Sequence, residues 1–327
     1  MTLPQSHELR TIVVAADDAP ADDLARIHQR FPTVRLVRAT DDAFRPALAE
    51  ADAALSWGLT AADLAAAPRL WWLQTIGAGV DGVLIPELIE REIVVTNASG
   101  AHAQNISEHV MAMMLALTRR LPYLIRGQTL HEWRNLTGPH EVDELYGQTL
   151  LLVGLGDIGA ALAARAAAFG VNVIGVRRRP DLPVPPGVQH VVGVDRLGEV
   201  LPLADQVVIT LPLTPYTAGL FDATMIARMK PGAYIYNIGR GSIIDANALV
   251  EALDSGRLAG AGLDVTDPEP LPAESPLWDM EQVIITAHSS GRSPRRWTRL
   301  LAIFEANIEA ALAGRPMVNV VDHVAGY

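Results

Sequence analysis

The stretch that most constrains the fold of this chain runs from Thr149 to Phe169. An apolar run, Leu150–Val153, ends at Gly154, and Ala and Leu then recur at helical spacing. This order predicts a strand, a tight turn and a helix. Gly154, Gly156 and Gly159 fit the spacing G-x-G-x-x-G, in which absent side chains allow the turn, the approach of a pyrophosphate and close helix packing. Glycine-rich turns without a ligand share this spacing, so the rest of the chain must indicate whether this turn binds a dinucleotide.

Length and charge narrow the classes of protein to consider. With 327 residues, 50% hydrophobic and 19% charged, the chain is globular and long enough for two domains. A net charge of -11 argues against nucleic acid or an anionic membrane as the main partner. The absence of cysteine excludes disulfides, thiolate catalysis and cysteine-ligated zinc. No apolar run has membrane-spanning length and the start MTLPQSHELR lacks the core of a signal peptide, so a cytoplasmic location is expected.

Short apolar runs alternate with helical segments over the first hundred residues. The predicted strands are Thr11–Ala16, Val34–Val37, Ala53–Ser56, Trp71–Gln74 and Ile93–Thr96, and the helices between them include Ala21–Arg30 and Ala61–Ala67, the latter capped by Thr60 with Asp63 in its first turn. Such alternation predicts a parallel sheet covered by helices. Ligands gather at the carboxyl ends of such strands, so the amides of the turn Gly77–Val80 are candidates to hold a small carboxylate. A plain turn into a helix explains this segment equally well.

The next segment is predicted to be one long amphipathic helix, Ser99–Arg120, whose apolar stripe suits a core or an interface. His102, Glu108 and His109 fit no metal-ligand spacing, so we expect ordinary hydrogen bonding there and no metal site. The polar segment Gly127–Gly147 that follows is interpreted as a linker or a dimer arm.

Three arginines follow the second strand of the nucleotide-binding unit, Val171–Val176. An enzyme for NAD usually places Asp or Glu there, to accept from the ribose 2′-hydroxyl. Arg177, Arg178 and Arg179 suit a 2′-phosphate instead, through charge-assisted hydrogen bonds. The sequence therefore favours NADP(H). NAD(H) stays possible, because Asp181 could reach a ribose, and a solvated basic loop is the alternative interpretation.

Later strands end in residues that carry chemistry. The strands predicted here are Gln206–Thr210, Tyr234–Ile238, Leu258–Leu263 and Val283–Thr286. Arg240 follows the second of them, Asp264 and Glu269 follow the third, and His288 follows the last. Because parallel strands end at one edge of their sheet, these side chains are expected to face a common cleft.

Taken together, the motifs resemble those of the D-isomer-specific 2-hydroxyacid dehydrogenases, a family that includes glyoxylate and hydroxypyruvate reductases. The resemblance covers nearly the whole chain and rests on GAGVDG (77–82), SEHVMAMMLAL (107–117), GLGDIG (154–159), PLTPYT (212–217), NIGRG (237–241), GLDVTDPEPLP (262–272), SPLW (275–278) and the segment around His288. It implies a two-domain α/β fold, in which a Rossmann-type doubly wound parallel sheet is inserted into a smaller flavodoxin-like substrate domain. The expected bounds are 102–288 for the cofactor domain and 1–101 plus 289–327 for the substrate domain. A homodimer is expected on the same grounds.

The resemblance also implies roles for single residues. Arg240 would clamp the carboxylate and C2 oxygen of a 2-oxo acid, and a planar guanidinium suits that pair of groups. His288 would protonate the oxygen as hydride arrives, with Glu269 favouring the protonated imidazole. The residues expected to bind substrate are Trp57, Gly77, Ala78 and Gly79, although Trp57 could instead pack under the loop. The residues expected to bind cofactor are Gly154, Gly156, Asp157, Ile158, Gly159, Arg177, Arg178, Arg179, Leu211, Pro212, Thr217, Ile238, Asp264 (on the nicotinamide carboxamide) and Gly291.

The chain departs from the family pattern beside His288, where Ala287 replaces the usual proline and Ser-Ser-Gly follows. Formate dehydrogenases carry Gln at the position of Glu269, and phosphite dehydrogenases carry a Lys in the loop Gly77–Val80, so neither activity is expected. The lack of an extension after Tyr327 likewise speaks against a serine-regulated phosphoglycerate dehydrogenase.

The expected function is NAD(P)H-dependent reduction of small 2-oxo acids to D-2-hydroxy acids. The alternative is a catalytically idle nucleotide-sensing or corepressor-like protein on the same fold. The complete set Arg240, Glu269 and His288 favours the enzyme, because a binding module does not need it.

Overall fold

The computed structural model describes residues 8–138 and 141–327, which form two compact units. The first unit contains the described residues up to His102 together with Ser293–Tyr327. The second contains the described residues between Ala103 and Arg292. The chain leaves the first unit once and returns to it, so the second unit is an insertion in sequence.

Strands and helices alternate along the chain. The strands are β1 (Thr11–Val14), β2 (Arg35–Arg38), β3 (Ala53–Ser56), β4 (Trp72–Thr75), β5 (Val94–Thr96), β6 (Thr149–Val153), β7 (Asn172–Val176), β8 (His190–Val192), β9 (Gln206–Ile209), β10 (Ala233–Asn237), β11 (Leu258–Leu263) and β12 (Val283–Ile285). The α-helices are α1 (Ala21–Arg30), α2 (Asp41–Ala47), α3 (Ala61–Ala66), α4 (Pro86–Glu90), α5 (Ala103–Thr118), α6 (Leu121–Thr129), α7 (Asp157–Ala168), α8 (Leu197–Val200), α9 (Ala223–Arg228), α10 (Ala246–Asp254) and α11 (Arg296–Leu312). None of the helices in the described ranges is both long and apolar enough to cross a membrane.

In the first unit the strands form one parallel sheet in the order β2-β1-β3-β4-β5, which is the flavodoxin-like order. Helix α11 belongs to this unit and is tied to α1 by ion pairs from Arg26 and Arg30 to Glu305, at 2.6 and 2.8 Å. Burial alone would raise the pKa of Glu305, but the hydrogen bonds from the two arginines outweigh it and lower that pKa. The predicted cap of α3 is confirmed, since Thr60 and Asp63 form a reciprocal capping box.

In the second unit the parallel strands follow the order β12-β11-β10-β9-β6-β7-β8. This is the doubly wound Rossmann order with β6, the fingerprint strand, beside β9 at the point where the order reverses. Apolar residues of α5 and α7 pack on one face of the sheet, and those of α9 and α10 pack on the other. The predicted fold class is thus confirmed.

The predicted helix Ser99–Arg120 is confirmed as α5, although its bounds, Ala103–Thr118, are shorter than predicted. Helix α5 begins four residues later, and Arg120, with a left-handed φ of 52°, separates it from α6. Pro122 lies in the first turn of α6, where its fixed φ suits a helix start. Helix α6 extends into the predicted arm Gly127–Gly147, of which Pro139 and His140 lie outside the described residues.

Candidate active site

The fingerprint turn between β6 and α7 has the geometry that a dinucleotide requires. A Cβ on Gly154, whose φ is 115°, would lie 3.1 Å from the backbone carbon of Thr210 and closer still to its hydroxyl. A Cβ on Gly159 would lie 3.2 Å from the carbonyl carbon of Gly154, so α7 needs glycine to pack this closely. Gly156, by contrast, faces open space, with no atom within 4 Å of a Cβ placed there. The N-terminus of α7 is therefore accessible to a pyrophosphate, and these residues fit a dinucleotide.

The three arginines after β7 have different surroundings. Arg177 folds back on the loop Pro180–Pro183, where its guanidinium donates to backbone carbonyls, including that of Pro183 at 3.3 Å. Arg178 and Arg179 are exposed. Arg177 thus shapes the loop, while the next two side chains face solvent at the end of β7.

The predicted cofactor residues after β9 and β10 also lie at neighbouring strand ends. Thr217 closes its loop by donating from Oγ1 to the carbonyl of Pro212, at 2.7 Å. A Cβ on Gly239 would lie 2.6 Å from the carbonyl oxygen of Leu211, so the two exits are in close contact. Ile238, the residue that follows β10, is buried.

The predicted catalytic residues follow three consecutive strands of one parallel sheet. Arg240 follows β10, Glu269 follows β11 and His288 follows β12. His288 Nδ1 and Glu269 Oε2 are 2.9 Å apart, and Glu269 Oε1 accepts from the backbone amide of Thr266 at 3.2 Å. The side chains of His288 and Glu269 are 52% and 39% exposed, so a small substrate can reach them.

Asn237 builds the turn that presents Arg240. Its Oδ1 accepts from the amide of Gly239 at 3.0 Å and its Nδ2 donates to the carbonyl of Arg240 at 2.8 Å. Arg240 Nη1 in turn donates to the carbonyl of Gly239, at 2.8 Å. The guanidinium is therefore positioned by its own turn.

The turn of Arg240 also presses against the turn that leads to Glu269. A Cβ on Gly241 would lie 2.5 Å from Asp267 N and closer still to the carbonyl group of Thr266. Glycine at this position allows the exits of β10 and β11 to approach. The position of the guanidinium and that of the carboxylate are thus linked through backbone contact.

The turn that carries His288 is strained. Ala287 and His288 have left-handed φ values of 49° and 51°, each of which costs about 1–3 kcal/mol in a residue other than glycine. A proline cannot adopt such a φ. The departure of this chain from the usual proline before the histidine therefore agrees with the observed backbone.

The carboxylate of Asp264 lies inside the same turn and is 1% exposed. It accepts from Thr286 Oγ1 at 2.6 Å, from the amides of Ser289 and Ser290 at 2.9 and 3.1 Å, and from the hydroxyl of Ser290. The carbonyl of Asp264 also accepts from the amide of His288, at 2.6 Å. Asp264 thus organises the turn that carries His288. Its predicted contact with the nicotinamide carboxamide, like that of Gly291 with the cofactor, stays a prediction.

The predicted substrate residues lie in the first unit, at the ends of neighbouring strands β3 and β4. A Cβ on Gly77 would lie 3.3 Å from Cζ3 of Trp57, so the indole rests against the Gly77–Gly79 loop. Trp57 is 60% exposed, which places it on the surface of the loop and not beneath it. The loop is fixed in part by Asn97, whose Nδ2 donates to the carbonyl of Ala78 at 2.9 Å.

Residues 111–290 match the family model for the D-isomer specific 2-hydroxyacid dehydrogenase, NAD binding domain. The chain belongs to this dehydrogenase family.

Individual relatives within the family differ in length. The D-3-phosphoglycerate dehydrogenase of Mycobacterium tuberculosis H37Rv is 33% identical over 317 residues, which cover 95% of this chain but 58% of that protein. The chain therefore spans little more than half the length of that relative. The glyoxylate/hydroxypyruvate reductase B of Pectobacterium atrosepticum is 34% identical over 318 residues, covering 92% of this chain and 95% of that protein. The structure of an NADPH-dependent glyoxylate/hydroxypyruvate reductase from Sinorhizobium meliloti, in complex with NADP and sulfate, has a TM-score of 0.83 at 31% identity and covers 97% of this chain and 99% of that one.

Some residues of this candidate site were not predicted from the sequence. The hydroxyls of Thr286 and Ser290 bind Asp264 only because the turn wraps around it. His109, expected to make ordinary hydrogen bonds, lies 3.0 Å from the hydroxyl of Thr286. Of the other residues weighed for a metal, Glu108 pairs with an arginine at 3.4 Å.

Proposed function

We propose that this protein is an NADPH-dependent reductase of small 2-oxo acids, of the glyoxylate and hydroxypyruvate type, that forms D-2-hydroxy acids. The observation that carries the proposal is the pair of His288 Nδ1 and Glu269 Oε2, 2.9 Å apart and partly exposed. The two residues follow β12 and β11, and β11 is the neighbour of the strand that Arg240 follows. In this proposal the second unit is the cofactor domain and contains Arg240, Glu269 and His288. Trp57 and Gly77–Gly79, the residues predicted to bind substrate, belong to the first unit.

The chemistry follows from what each side chain offers. When bound, the dihydronicotinamide supplies the hydride that reduces the C2 carbonyl. Arg240 holds the substrate carboxylate and stabilises the negative charge that grows on the carbonyl oxygen. Glu269 accepts from Nδ1 of His288, so the protonated imidazole presents its other N–H, at Nε2, to that oxygen. Transfer of this proton completes the hydroxyl group and leaves a neutral imidazole.

The preference for NADPH is assigned to Arg178 and Arg179. Both are exposed at the end of β7, where a ribose 2′-phosphate lies in a doubly wound sheet of this kind. Arg177 contributes indirectly, since its guanidinium holds the loop Pro180–Pro183. Relatives with a solved NADP complex support the same choice.

A homodimer is part of the proposal. Helix α6 and the residues after it expose Leu121, Ile125, Leu130 and Trp133, the last of which is 94% exposed. Large apolar side chains grouped in this way are typical of a protein interface. Sedimentation at micromolar concentration is expected to show a dimer, and a monomer alone would remove this part of the proposal. The cytoplasmic location rests on the sequence expectation.

Initial rates of cofactor oxidation test the function. NADPH and NADH are compared side by side against glyoxylate, hydroxypyruvate, pyruvate, phenylpyruvate and 3-phosphohydroxypyruvate. We expect NADPH to turn over with glyoxylate or hydroxypyruvate and NADH to lag. Turnover confined to 3-phosphohydroxypyruvate would keep the reductase but overturn the substrate class. Binding of both cofactors without turnover would favour the idle nucleotide-sensing or corepressor-like alternative.

A further inference from the structure

Helix α5 contacts the catalytic turn at two points, one on each side of His288. Asn105 Nδ2 donates to the carbonyl of Ser290 at 2.7 Å, and His109 Nε2 lies 3.0 Å from the hydroxyl oxygen of Thr286. Asn105 and His109 are four residues apart in one helix, so their side chains share a face. The helix therefore contacts the turn on both sides of its two left-handed residues.

The direction of the hydrogen bond from His109 is fixed by its neighbours. The buried carboxylate of Asp264 accepts from the hydroxyl of Thr286 at 2.6 Å, so that hydroxyl proton is committed. The Thr286 oxygen can then only accept from the imidazole, and His109 must carry a proton on Nε2. The resulting chain runs from His109 through Thr286 to Asp264, whose Oδ1 is 3.9 Å from the imidazole nitrogen.

These contacts of α5 act together with those of Asp264 on a backbone that its own strained residues do not impose. Ala287 and His288 are both left-handed, and both are exposed, so packing of their own side chains does not impose this backbone. Strained residues persist where the surrounding contacts determine them. We propose that Asn105 and His109 are positioning residues that hold the turn of His288 in its working conformation. This inference rests on the proposed reductase function.

The test compares variants that keep or remove single hydrogen bonds in the full-length protein. His109→Leu removes the donor, whereas His109→Gln keeps an N–H at a similar reach. Thr286→Val removes the hydroxyl with little change of shape, whereas Thr286→Ser keeps it. We expect kcat to fall about threefold to tenfold in the Leu and Val variants and to recover in Gln and Ser, with the KM for NADPH unchanged. The double variant His109→Leu/Thr286→Val should fall no further than Thr286→Val alone, because the two residues act in series.

Asn105→Leu is expected to lower kcat in the same range. Thr224→Val, at an exposed threonine of α9, is the matched control for Thr286→Val and should keep the wild-type kcat. Equal kcat in wild type and His109→Leu would overturn the proposal, as would equal losses in His109→Leu and His109→Gln, since the side chain would then matter only for packing.

Failure of the proposed function can be recognised separately. If the wild type turns over no 2-oxo acid, the same variants are compared by the rate at which diethyl pyrocarbonate modifies His288, mapped by mass spectrometry. His109→Leu should change this rate and His109→Gln should preserve it. A rate that is equal in all variants would overturn the positioning role without any appeal to turnover.

Discussion

Gly241, in the turn of Arg240, contacts the turn that leads to Glu269, so adding one methyl group there should separate the two predicted catalytic residues. A Cβ at Gly241 would lie 2.5 Å from Asp267 N and nearer still to the carbonyl of Thr266, atoms of backbone that cannot swing aside. Carbon needs about 3.5 Å from such atoms, so the exits of β10 and β11 must part by at least about 1 Å. A displacement of this size costs roughly 100-fold in rate when it moves a catalytic group. We therefore expect Gly241→Ala to lower kcat/KM about 100-fold.

Measuring the thermal midpoint and NADPH binding beside kcat/KM separates displacement of the predicted catalytic residues from unfolding of the protein. Overpacking typically costs about 1–3 kcal/mol, so the thermal midpoint of Gly241→Ala should fall by roughly 2–10 °C while NADPH still binds. Gly198→Ala in α8 is the matched control, because the atom nearest to its added Cβ is the flexible end of Arg228, at 2.5 Å. The control should keep wild-type kcat/KM. The reasoning is refuted if Gly241→Ala and Gly198→Ala give the same kcat/KM.

Three further predictions concern charged groups. Glu269→Gln should lower kcat about tenfold, because an amide has one acceptor oxygen for the two donors that the carboxylate serves; steady-state kinetics check this, and an unchanged kcat contradicts it. Replacing Arg178 and Arg179 by Ser should raise the KM for NADPH about tenfold or more and leave that for NADH nearly unchanged; a parallel change in both would refute the 2′-phosphate assignment. The pKa of Glu305 is lowered in the folded protein, so its stabilisation is present above the ordinary glutamate pKa and is lost as pH falls through the lowered value. Glu305→Gln should therefore lower the urea midpoint near neutrality and flatten its fall towards acid pH, and an unchanged profile would contradict this.

Most strands were predictable because they are short apolar runs bounded by polar or glycine-rich segments, whereas the three-residue β8 was not predicted. Ala53–Ser56 and Leu258–Leu263 have the predicted bounds, and other predicted strands shift by one or two residues at their ends. The placement of Arg240, Glu269 and His288 at one edge was also predictable, since parallel topology brings consecutive strand ends together. The apolar pattern predicts the strands, and the parallel topology predicts that these three side chains lie at the same edge of the sheet.

The finer geometry of the site was not predictable, because it depends on contacts between residues that are distant in sequence. Nothing in the run of three arginines shows that Arg177 folds back on its own loop. The hydrogen bonds of Asp264 with the turn of His288, and the contact of that turn with His109, join segments far apart in the chain. The left-handed φ of Ala287 is likewise imposed by such contacts and not by its residue type.

The most direct test of the account is the turnover of His288→Asn, measured beside the wild type with NADPH and hydroxypyruvate, with NADPH binding followed in the same preparations. Asparagine keeps a polar side chain but cannot donate the proton from the position of Nε2. The account predicts unchanged NADPH binding and a loss of kcat of about 100-fold or more, in line with the loss of a general acid. A variant that retains wild-type kcat would contradict the assignment of His288 as the proton donor, and with it the proposed mechanism.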